Sequence, residues 1–327
     1  MKAWQVTRLG APEAALRWTE IEDPAPGPGQ LVVRVLASAA NFPDVLMCRG
    51  EYQVRPELPF TPGVEVCGEV VAVGADVSGI EPGSRIVGVT VMPHGAFAEF
   101  AVVNAHQAFP APTGLADAQA AAFHIAYQTG WFGLHHRAGL RSGETLLVHA
   151  AAGGVGSAAV QLGKAAGARV IAVAGGADKA ALARAQGADV VVDRTTEDFV
   201  AVVKAATGGA GADVVYDPVG GQTYLRSTKC VASDGRVVVV GFSAGEVQAP
   251  MLNHALVKNY SIIGLHWGLY SERRHPAVAE AHAALTDLAE RGQIAPVIDS
   301  LCALADLPEA LTRLAAGATV GRVVVLP

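Results

Sequence analysis

Residues 145–166 read TLLVHAAAGGVGSAAVQLGKAA, and this stretch decides the fold of the chain. Thr145–His149 is an almost continuous apolar run, which is typical of a strand buried on both faces of a parallel sheet. Helical spacing follows from Gly154 to Ala166. The turn between them contains Ala151, Gly153, Gly154, Val155 and Gly156. Such a turn predicts a dinucleotide site, because its backbone can approach a pyrophosphate and the helix N-terminus offers free N–H groups.

Strand and helix signals alternate around this turn. Further strands are predicted at Arg169–Ala174, Val190–Val192, Asp213–Tyr216, Val237–Val240 and Ser261–Ile263, with helical segments between them. This alternation predicts an α/β fold with a doubly wound parallel sheet of six strands.

The flanking regions have a different pattern. Short apolar runs between turn residues predict strands at Leu31–Ala37, Val66–Val73, Arg85–Val89 and Ala96–Val102. The C-terminal part is mixed, with a predicted helix at Pro276–Arg291 and a strand at Val323–Leu326. We therefore predict a β-rich substrate and catalytic domain at residues 1–120, a dinucleotide-binding domain at residues 121–268 and a C-terminal segment at residues 269–327.

Composition excludes several classes of protein. The 327 residues are 51% hydrophobic and 17% charged with a net charge of −6, which indicates a globular protein and argues against binding to nucleic acid. No apolar stretch approaches the ~20 residues of a membrane helix, and Met1–Gly10 does not resemble a secretory signal. The four cysteines are widely scattered, which argues against a disulfide framework or a zinc cluster and favours the cytoplasm.

The end of the second predicted strand indicates which dinucleotide binds. An NAD site usually carries an acidic residue there, whereas this chain has Gly175-Gly176. Lys179 and Arg194 lie close by in the sequence and could bind a 2′-phosphate, so we predict NADPH as the cofactor. Lys179 could instead be a solvated helix residue, and its neighbour Asp178 argues against a phosphate site unless it only caps the helix.

Several motifs together resemble one known family. Gly143–Leu147, the glycine-rich turn, Gln161 and Lys164 are similar to the quinone oxidoreductase/zeta-crystallin signature of the medium-chain dehydrogenase/reductase superfamily. The resemblance extends to Asn41–Asp44, Arg49-Gly50, Tyr52, Pro62-Gly63, Glu65, Gly68 and His266–Gly268. It covers nearly the whole chain but does not specify the substrate.

The resemblance implies a GroES-like domain, completed by the C-terminal residues, around an inserted Rossmann domain, with hydride transfer in the cleft between them. It also implies NADPH, a homodimer and a small-molecule acceptor, either a quinone or an activated alkene. Zinc-dependent relatives have a cysteine in place of Asn41 and a histidine in place of Val64, so we predict no metal site.

The same resemblance implies the site residues. Asn41 and Asp44 belong to the loop that faces the nicotinamide, and Tyr52 matches a tyrosine proton donor of related enoyl reductases, although it could instead be a wall residue. The nicotinamide end of the cofactor is expected near Tyr127, Gln128, Thr129, Gly241, Phe242, Leu265 and Trp267. Trp267 could equally serve in packing.

Three functions remain open at this point. Reduction of quinones by NADPH, in one-electron or two-electron steps, is the leading hypothesis. Reduction of the double bond of an enal, enone or enoyl-thioester is the alternative within the same fold. A protein that binds NADPH without catalysis is the third.

Overall fold

The computed structural model describes residues 1–327, and the chain packs as two compact units. The first unit comprises Met1–Ile125, Arg274–His282 and Ala295–Pro327. The second unit comprises Ala126–Arg273 and Ala283–Ile294. The short segment Ala283–Ile294 thus packs with the second unit, whereas the sequence grouped it with the C-terminal segment. No helix combines the length and the hydropathy of a membrane-spanning segment.

The chain forms fourteen strands and twelve α-helices. The strands are β1 (Lys2–Val6), β2 (Leu16–Glu20), β3 (Gln30–Ala39), β4 (Glu65–Val73), β5 (Arg85–Thr90), β6 (Phe100–Pro110), β7 (Thr145–Val148), β8 (Arg169–Ala174), β9 (Val190–Asp193), β10 (Ala212–Asp217), β11 (Val231–Val239), β12 (Ser261–Gly264), β13 (Ile298–Ala303) and β14 (Arg322–Leu326). The helices are α1 (Pro12–Ala15), α2 (Phe42–Arg49), α3 (Asp117–Ala121), α4 (His124–Trp131), α5 (Gly154–Ala165), α6 (Ala177–Ala185), α7 (Phe199–Ala206), α8 (Gly221–Ser227), α9 (Leu252–Lys258), α10 (Trp267–Glu272), α11 (Ala277–Glu290) and α12 (Leu307–Ala315). A π-helical stretch, Phe132–Arg137, follows α4, and a 3₁₀ turn, Leu304–Asp306, precedes α12.

The first unit is built on a mainly antiparallel sheet. Its strand order is β13-β14-β3-β4-β5-β6, and β6 also pairs with β3, so four strands form a closed ring. Leu31, Val33, Val70 and Ile86 alternate inward from these strands into a buried core. The C-terminal strand β14 joins β3 at Ala39, which fixes the chain end beside the segment that begins α2.

The second unit contains the predicted parallel sheet. Its strand order is β12-β11-β10-β7-β8-β9, the doubly wound order of a six-stranded Rossmann sheet. Leu147, Ile171, Val215 and Val237 are fully or almost fully buried, as continuous apolar strands covered on both faces require. The predicted fold class, a GroES-like β-rich domain with a Rossmann domain, is confirmed.

A buried aromatic cluster in the first unit contains two histidines. The ring of His124 lies 5.3 Å from that of Phe109 and 6.0 Å from that of His282. Burial lowers the pKa of His124 to about 3, with a smaller contribution from His282. The folded protein therefore holds His124 neutral, whereas the unfolded chain protonates it near its ordinary pKa of about 6.5.

This burial predicts a loss of stability in acid. Between pH 6.5 and 3 the unfolded state binds more protons than the folded state at His124, so the free energy of unfolding falls as the pH falls. We expect His124 to account for a loss of about 2 kcal/mol between pH 7 and pH 5. Urea unfolding at several pH values in this range measures the free energy of unfolding, which should fall in acid for wild type but less steeply for His124→Phe. For the control His136→Gln, which replaces an exposed histidine, the free energy of unfolding should follow the pH dependence of wild type. The same pH dependence in His124→Phe and wild type would contradict the prediction.

Candidate active site

The glycine-rich turn connects β7 to α5 at the carboxyl edge of the parallel sheet. Its first residue, Ala150, has a left-handed φ of 48°, and the N–H of Ala151 donates to the Val173 carbonyl at 3.0 Å. No side chain caps α5 at Gly153, so the N–H groups of its first turn remain available to a ligand. A Cβ on Gly156 would lie 2.1 Å from the Ala150 oxygen, so only glycine allows this close approach of helix to strand. The turn can hold a pyrophosphate.

Arg194 lies against the end of β8, where the sequence predicted a phosphate partner. A Cβ built on Gly175 would stand 2.9 Å from Arg194 Nε and 3.0 Å from Nη2, so the guanidinium covers this glycine. Arg194 is exposed, and Lys179 is half-buried in the first turn of α6. The position therefore offers cationic groups to a phosphate at the end of the second strand of the Rossmann fold.

A carboxylate that was not predicted from the sequence lies at the same place. Asp193 ends β9, and its Oδ1 accepts hydrogen bonds from the Gly176 N–H at 2.9 Å and the Thr195 N–H at 3.0 Å. Hydrogen bonds from Thr195 are the first cause of its lowered pKa, so the carboxylate is ionised. Its charge opposes the binding of an anion here and reduces the effect of Arg194.

The ends of β11 and β12 carry the next group of predicted cofactor residues. Leu265 follows β12, and its N–H donates to the Val239 carbonyl at 3.0 Å, which aligns the two strand ends. Trp267 begins α10 and is buried, whereas Phe242 is 39% exposed. Gly241 lies near the Pro218 carbonyl, which a Cβ on it would approach to 3.3 Å. These residues share the carboxyl edge of one sheet, where ligands bind in folds of this type.

The predicted cofactor residues Tyr127 and Thr129, at the start of the second unit, are buried. Tyr127 is 1% exposed, and its hydroxyl donates to Gln161 Oε1 at 2.9 Å. Gln161 in turn donates to Gln186. Thr129 is 8% exposed. The contacts of Tyr127 hold α4 to α5, so this geometry favours a supporting role for Tyr127 in the cofactor site.

Asn41 and Asp44 begin α2 in the first unit. The Asn41 N–H donates to Asp44 Oδ2 at 2.8 Å, which forms half of a capping box. Asp44 Oδ1 accepts the N–H groups of Gly63 at 3.0 Å and Val64 at 3.1 Å. Burial raises the pKa of Asp44 to about 7, and these N–H donors limit the rise. Asp44 is 0% exposed and its acceptors are occupied, so the geometry favours a positioning role over contact with an acceptor.

The side chain of Asn41 belongs to a buried polar network. Its Nδ2 donates to the Ala39 carbonyl at 3.0 Å and to Glu65 Oε2 at 2.9 Å, and its Oδ1 accepts from Arg322 Nη1 at 2.8 Å. Arg322 also forms an ion pair with Glu65, and both side chains are almost fully buried. Burial raises the pKa of Glu65, and Arg322 opposes that rise. Both amide hydrogens of Asn41 are thus used within the protein.

Arg322 and Glu65 join parts of the chain that are far apart in sequence. Glu65 begins β4, Arg322 begins β14, and Glu65 Oε1 also accepts the Ile125 N–H at 2.6 Å. Arg322 was not among the site residues predicted from the sequence. The available signal was a charged residue immediately before the apolar run Val323–Leu326, which was predicted to be a strand.

Tyr52 follows α2 and is half-buried against an apolar cluster that includes Met47 and Phe60. Burial raises the pKa of its phenol, and Asp44 adds to the rise. The hydroxyl therefore stays protonated at neutral pH and can donate a hydrogen bond or a proton. Of the three predicted catalytic residues, Tyr52 is the one that is only half-buried, whereas Asn41 and Asp44 are buried.

Comparison with known families gives consistent matches. The alcohol dehydrogenase GroES-like domain family matches residues 27–113, and the zinc-binding dehydrogenase family matches residues 154–283. Despite the second description, the structure contains no group of three or more histidine, cysteine, aspartate or glutamate side chains that could hold a metal ion.

Individual relatives are similar over most of the chain. The quinone oxidoreductase-like protein 2 homolog of Nematostella vectensis is 37% identical over 301 residues, covering 91% of this chain and 82% of that protein. A probable oxidoreductase of Mycobacterium abscessus superposes with a TM-score of 0.90 at 37% identity, covering 100% of this chain and 99% of that one. The Escherichia coli quinone oxidoreductase solved with NADPH gives a TM-score of 0.90 at 31% identity over the whole of both chains.

Proposed function

The chain belongs to the zinc-free quinone oxidoreductase family of the medium-chain dehydrogenase/reductase superfamily, and from this premise we propose that it oxidises NADPH and reduces a quinone-type acceptor. The observation that carries the proposal is the uncapped glycine-rich turn at the start of α5 together with the Arg194 guanidinium over Gly175. When bound, NADPH supplies the hydride. The protein's own residues bind it, orient it and supply or hold protons.

The pyrophosphate and the 2′-phosphate of the cofactor each have a proposed partner in the second unit. The N–H groups of Gly154, Val155 and Gly156 would bind the pyrophosphate. Arg194 would pair with the 2′-phosphate through a charge-assisted hydrogen bond, with Lys179 nearby. Asp193 weakens this preference for a phosphate, so we expect a moderate rather than absolute preference for NADPH over NADH.

Gly175→Asp tests the cofactor assignment. The new side chain would begin 2.9 Å from Arg194 Nε, so its carboxylate would pair with the guanidinium and repel a 2′-phosphate. We expect the Kd for NADPH to rise by about 10- to 100-fold, or ~1.4–2.7 kcal/mol, while NADH binds at least as well as to wild type. Titration of the tryptophan fluorescence with each nucleotide measures both constants.

Gly114→Asp is the matched control for this substitution. Gly114 has an ordinary φ and open space around its Cβ position, and it belongs to the first unit. The control should leave both nucleotide affinities unchanged. Equal loss of NADPH and NADH in Gly175→Asp would refute the role of Arg194 as the phosphate partner.

In the first unit we propose Tyr52 as the group that donates to the developing anion of the acceptor, and Asn41 and Asp44 as residues that position the segment around α2. Reduction of a quinone to a hydroquinone by one hydride consumes one proton, which either the Tyr52 phenol or water can supply. Tyr52→Phe should therefore reduce the turnover of an enone more than that of a quinone, because an enolate needs its proton at a defined position.

An acceptor panel separates the functions that remain open. Purified protein with NADPH should reduce simple benzoquinones, and loss of NADPH absorbance measures the rate. Turnover of enones or enoyl-thioesters with no turnover of quinones would favour double-bond reduction. Tight NADPH binding with no turnover of either class would favour a binding protein that is not an enzyme.

We also propose that the protein is a homodimer through the free edge of the parallel sheet. Strand β12 pairs with β11 alone, so its other edge is open. Half of the exposed large apolar side chains lie between residues 242 and 262, including Leu256 at 77% and Val257 at 76% exposure. An isologous interface would cover this edge and these side chains together.

Leu256→Glu tests the dimer. At a two-fold interface the new charges face a second copy of the same apolar surface, so we expect the mass in sedimentation to fall from that of two chains to that of one, 33.5 kDa. Leu301→Glu, which replaces a 56% exposed leucine of the first unit, should leave the dimer intact. A wild-type monomer at micromolar concentration would contradict the proposal.

We propose the cytoplasm as the compartment. All four cysteines are free thiols, and three of them are buried, as expected for a protein of a reducing compartment. Recovery of the protein in the membrane or secreted fraction of fractionated cells would contradict this.

A further inference from the structure

A cavity of about 220 Å³ lies in the first unit beside the loop that follows α2. Its walls are six apolar side chains with one charged residue, Arg55, among them. The apolar residues are Leu9, Met47, Val54, Pro56, Leu58 and Phe60. No carboxylate lines the cavity.

Two local features bring these residues together. Gly50 ends α2 with a left-handed φ of 73°, so the chain turns sharply into the loop. The Gly10 N–H donates to the Cys48 carbonyl at 2.8 Å, which brings the turn after β1 to the end of α2. Leu9 then lies over Gly50, since a Cβ there would be 2.7 Å from Leu9 Cδ1. The cavity is thus a product of the tertiary fold of this unit.

Three of the wall residues leave much of their surface in water. Leu9 is 56% exposed, Val54 50% and Leu58 45%, while Met47 and Phe60 at the base are almost fully buried. Large apolar side chains gathered at the mouth of a concave site are typical of a site for an apolar ligand. The base of the cavity is part of the hydrophobic core of this unit.

The cavity lies beside the loop that carries the residue we propose as proton donor. Gly50 and Val54, on either side of Tyr52 in the sequence, line the cavity, and Tyr52 packs against the hydrophobic cluster to which Met47 and Phe60 belong. The cavity is therefore formed by the same segment of chain as the proposed proton donor. Resting on the proposed function, we propose that this cavity binds the apolar alkyl or prenyl chain of the acceptor, so that chain-bearing acceptors are preferred substrates.

The expected preference follows from the burial of methylene groups. Each methylene that leaves water strengthens binding by about fourfold. A chain that places two or more methylenes in the cavity should therefore raise kcat/KM by at least about tenfold, chiefly through KM. The head group could be a quinone or an enone, because the cavity would recognise only the chain.

Two matched pairs of acceptors test the proposal with the full-length protein and NADPH. One pair is a benzoquinone without a side chain and the same benzoquinone with a decyl chain, below the concentration at which it forms micelles. The other is methyl vinyl ketone and a homologous enone with a long alkyl chain. We expect the chain-bearing member of the reducible pair to have at least tenfold higher kcat/KM, and the pair that reacts identifies the head group.

Variants assign the preference to the cavity. In the double variant Val54→Ser/Leu58→Ser we expect the ratio of kcat/KM between chain-bearing and chain-free acceptors to fall to about twofold or less. Leu301→Ser, which alters an exposed leucine elsewhere in the first unit, should keep the full ratio. Both wall residues are exposed, so the substitutions are expected to leave the fold intact.

The outcomes separate this inference from the proposed function. Turnover of chain-free acceptors with no gain from the chain would overturn the inference and leave the function standing. If no acceptor is turned over, the proposed function fails, and calorimetric titration with the decyl quinone still decides the cavity. Weaker binding to the double variant than to wild type supports it, and equal binding overturns it.

Discussion

Arg322→Met is expected to lower the free energy of unfolding by about 3–5 kcal/mol at neutral pH, because it leaves a buried carboxylate without its cation. Glu65 is fully buried, and Arg322 lowers its pKa against the effect of burial. Without the guanidinium the pKa of Glu65 in the folded protein rises further above its unfolded value. The remaining stability should therefore be greatest in acid and should fall as the pH rises. Chemical unfolding at several pH values measures both effects.

A double-mutant cycle separates the pair from its members. Glu65→Gln alone leaves an uncompensated arginine and should also cost several kcal/mol. The double variant Glu65→Gln/Arg322→Met removes both charges and should lose clearly less than the sum of the single variants. Arg34→Met, which breaks the exposed ion pair with Glu69, is the control and should cost about 1 kcal/mol or less. Additive losses in the cycle would show that Arg322 and Glu65 do not act as a pair.

The same variants also test how Asn41 is held. Asn41 Oδ1 accepts from Arg322 and its Nδ2 donates to Glu65, so the network fixes the amide that begins α2. If the hydrogen bonds among Asn41, Glu65 and Arg322 position the acceptor site, kcat should be lower in a folded Glu65→Gln/Arg322→Met variant than in wild type. The affinity for NADPH should stay close to that of wild type. An unchanged kcat would restrict the network to a role in stability.

Gly156→Ala is expected to abolish measurable NADPH binding, a loss of at least about 100-fold. The added Cβ would lie 2.1 Å from the Ala150 oxygen and 2.7 Å from its carbon, both backbone atoms that cannot turn away. The first turn of α5 must then move from β7, which removes the N–H groups from the pyrophosphate position. Overpacking of this kind should also cost about 1–3 kcal/mol of stability. Fluorescence titration and thermal unfolding measure the two effects.

Gly153→Ala separates binding from folding. A Cβ on Gly153 meets only the Ala150 oxygen, at 3.3 Å, and its φ of −86° is available to alanine. This variant should fold with nearly wild-type stability but bind NADPH more weakly, because the second glycine of such a turn allows the backbone to approach the pyrophosphate closely. Gly114→Ala, with open space around the new Cβ, should change neither property. Wild-type NADPH affinity in Gly156→Ala would exclude the glycine-rich turn as the cofactor site.

Most of the second unit could be predicted from sequence. The apolar strand before the turn, the glycines and the helical spacing after it are local signals, and the predicted strand at Arg169–Ala174 matches the observed bounds of β8. Alternation of strands with helices then restricts the sheet to a parallel, doubly wound order. The absence of an acidic residue at Gly175-Gly176 pointed to Arg194, which does lie over Gly175.

The chemical roles of residues in the first unit were harder to predict from the sequence than the fold of the second unit. Asn41 and Asp44 stand out as polar residues in a recognisable motif, but the sequence gives no information on which atoms satisfy them. Their partners are Arg322 and the loop at Gly63-Val64, contributed by other parts of the chain. Similarly, Asp193 reaches Gly176 only because β9 pairs with β8.

The sequence by itself therefore determined the fold class, the position of the glycine-rich turn and the family, because these depend on periodicity and on local backbone requirements. Only the tertiary structure decided that the Asn41 amide and the Asp44 carboxylate are occupied, that Arg322 compensates Glu65, and that Leu9 and Leu58 share one cavity. These facts depend on contacts between residues distant in the chain. Burial then sets the pKa values and the free hydrogen-bonding groups, and no local pattern in the sequence records them.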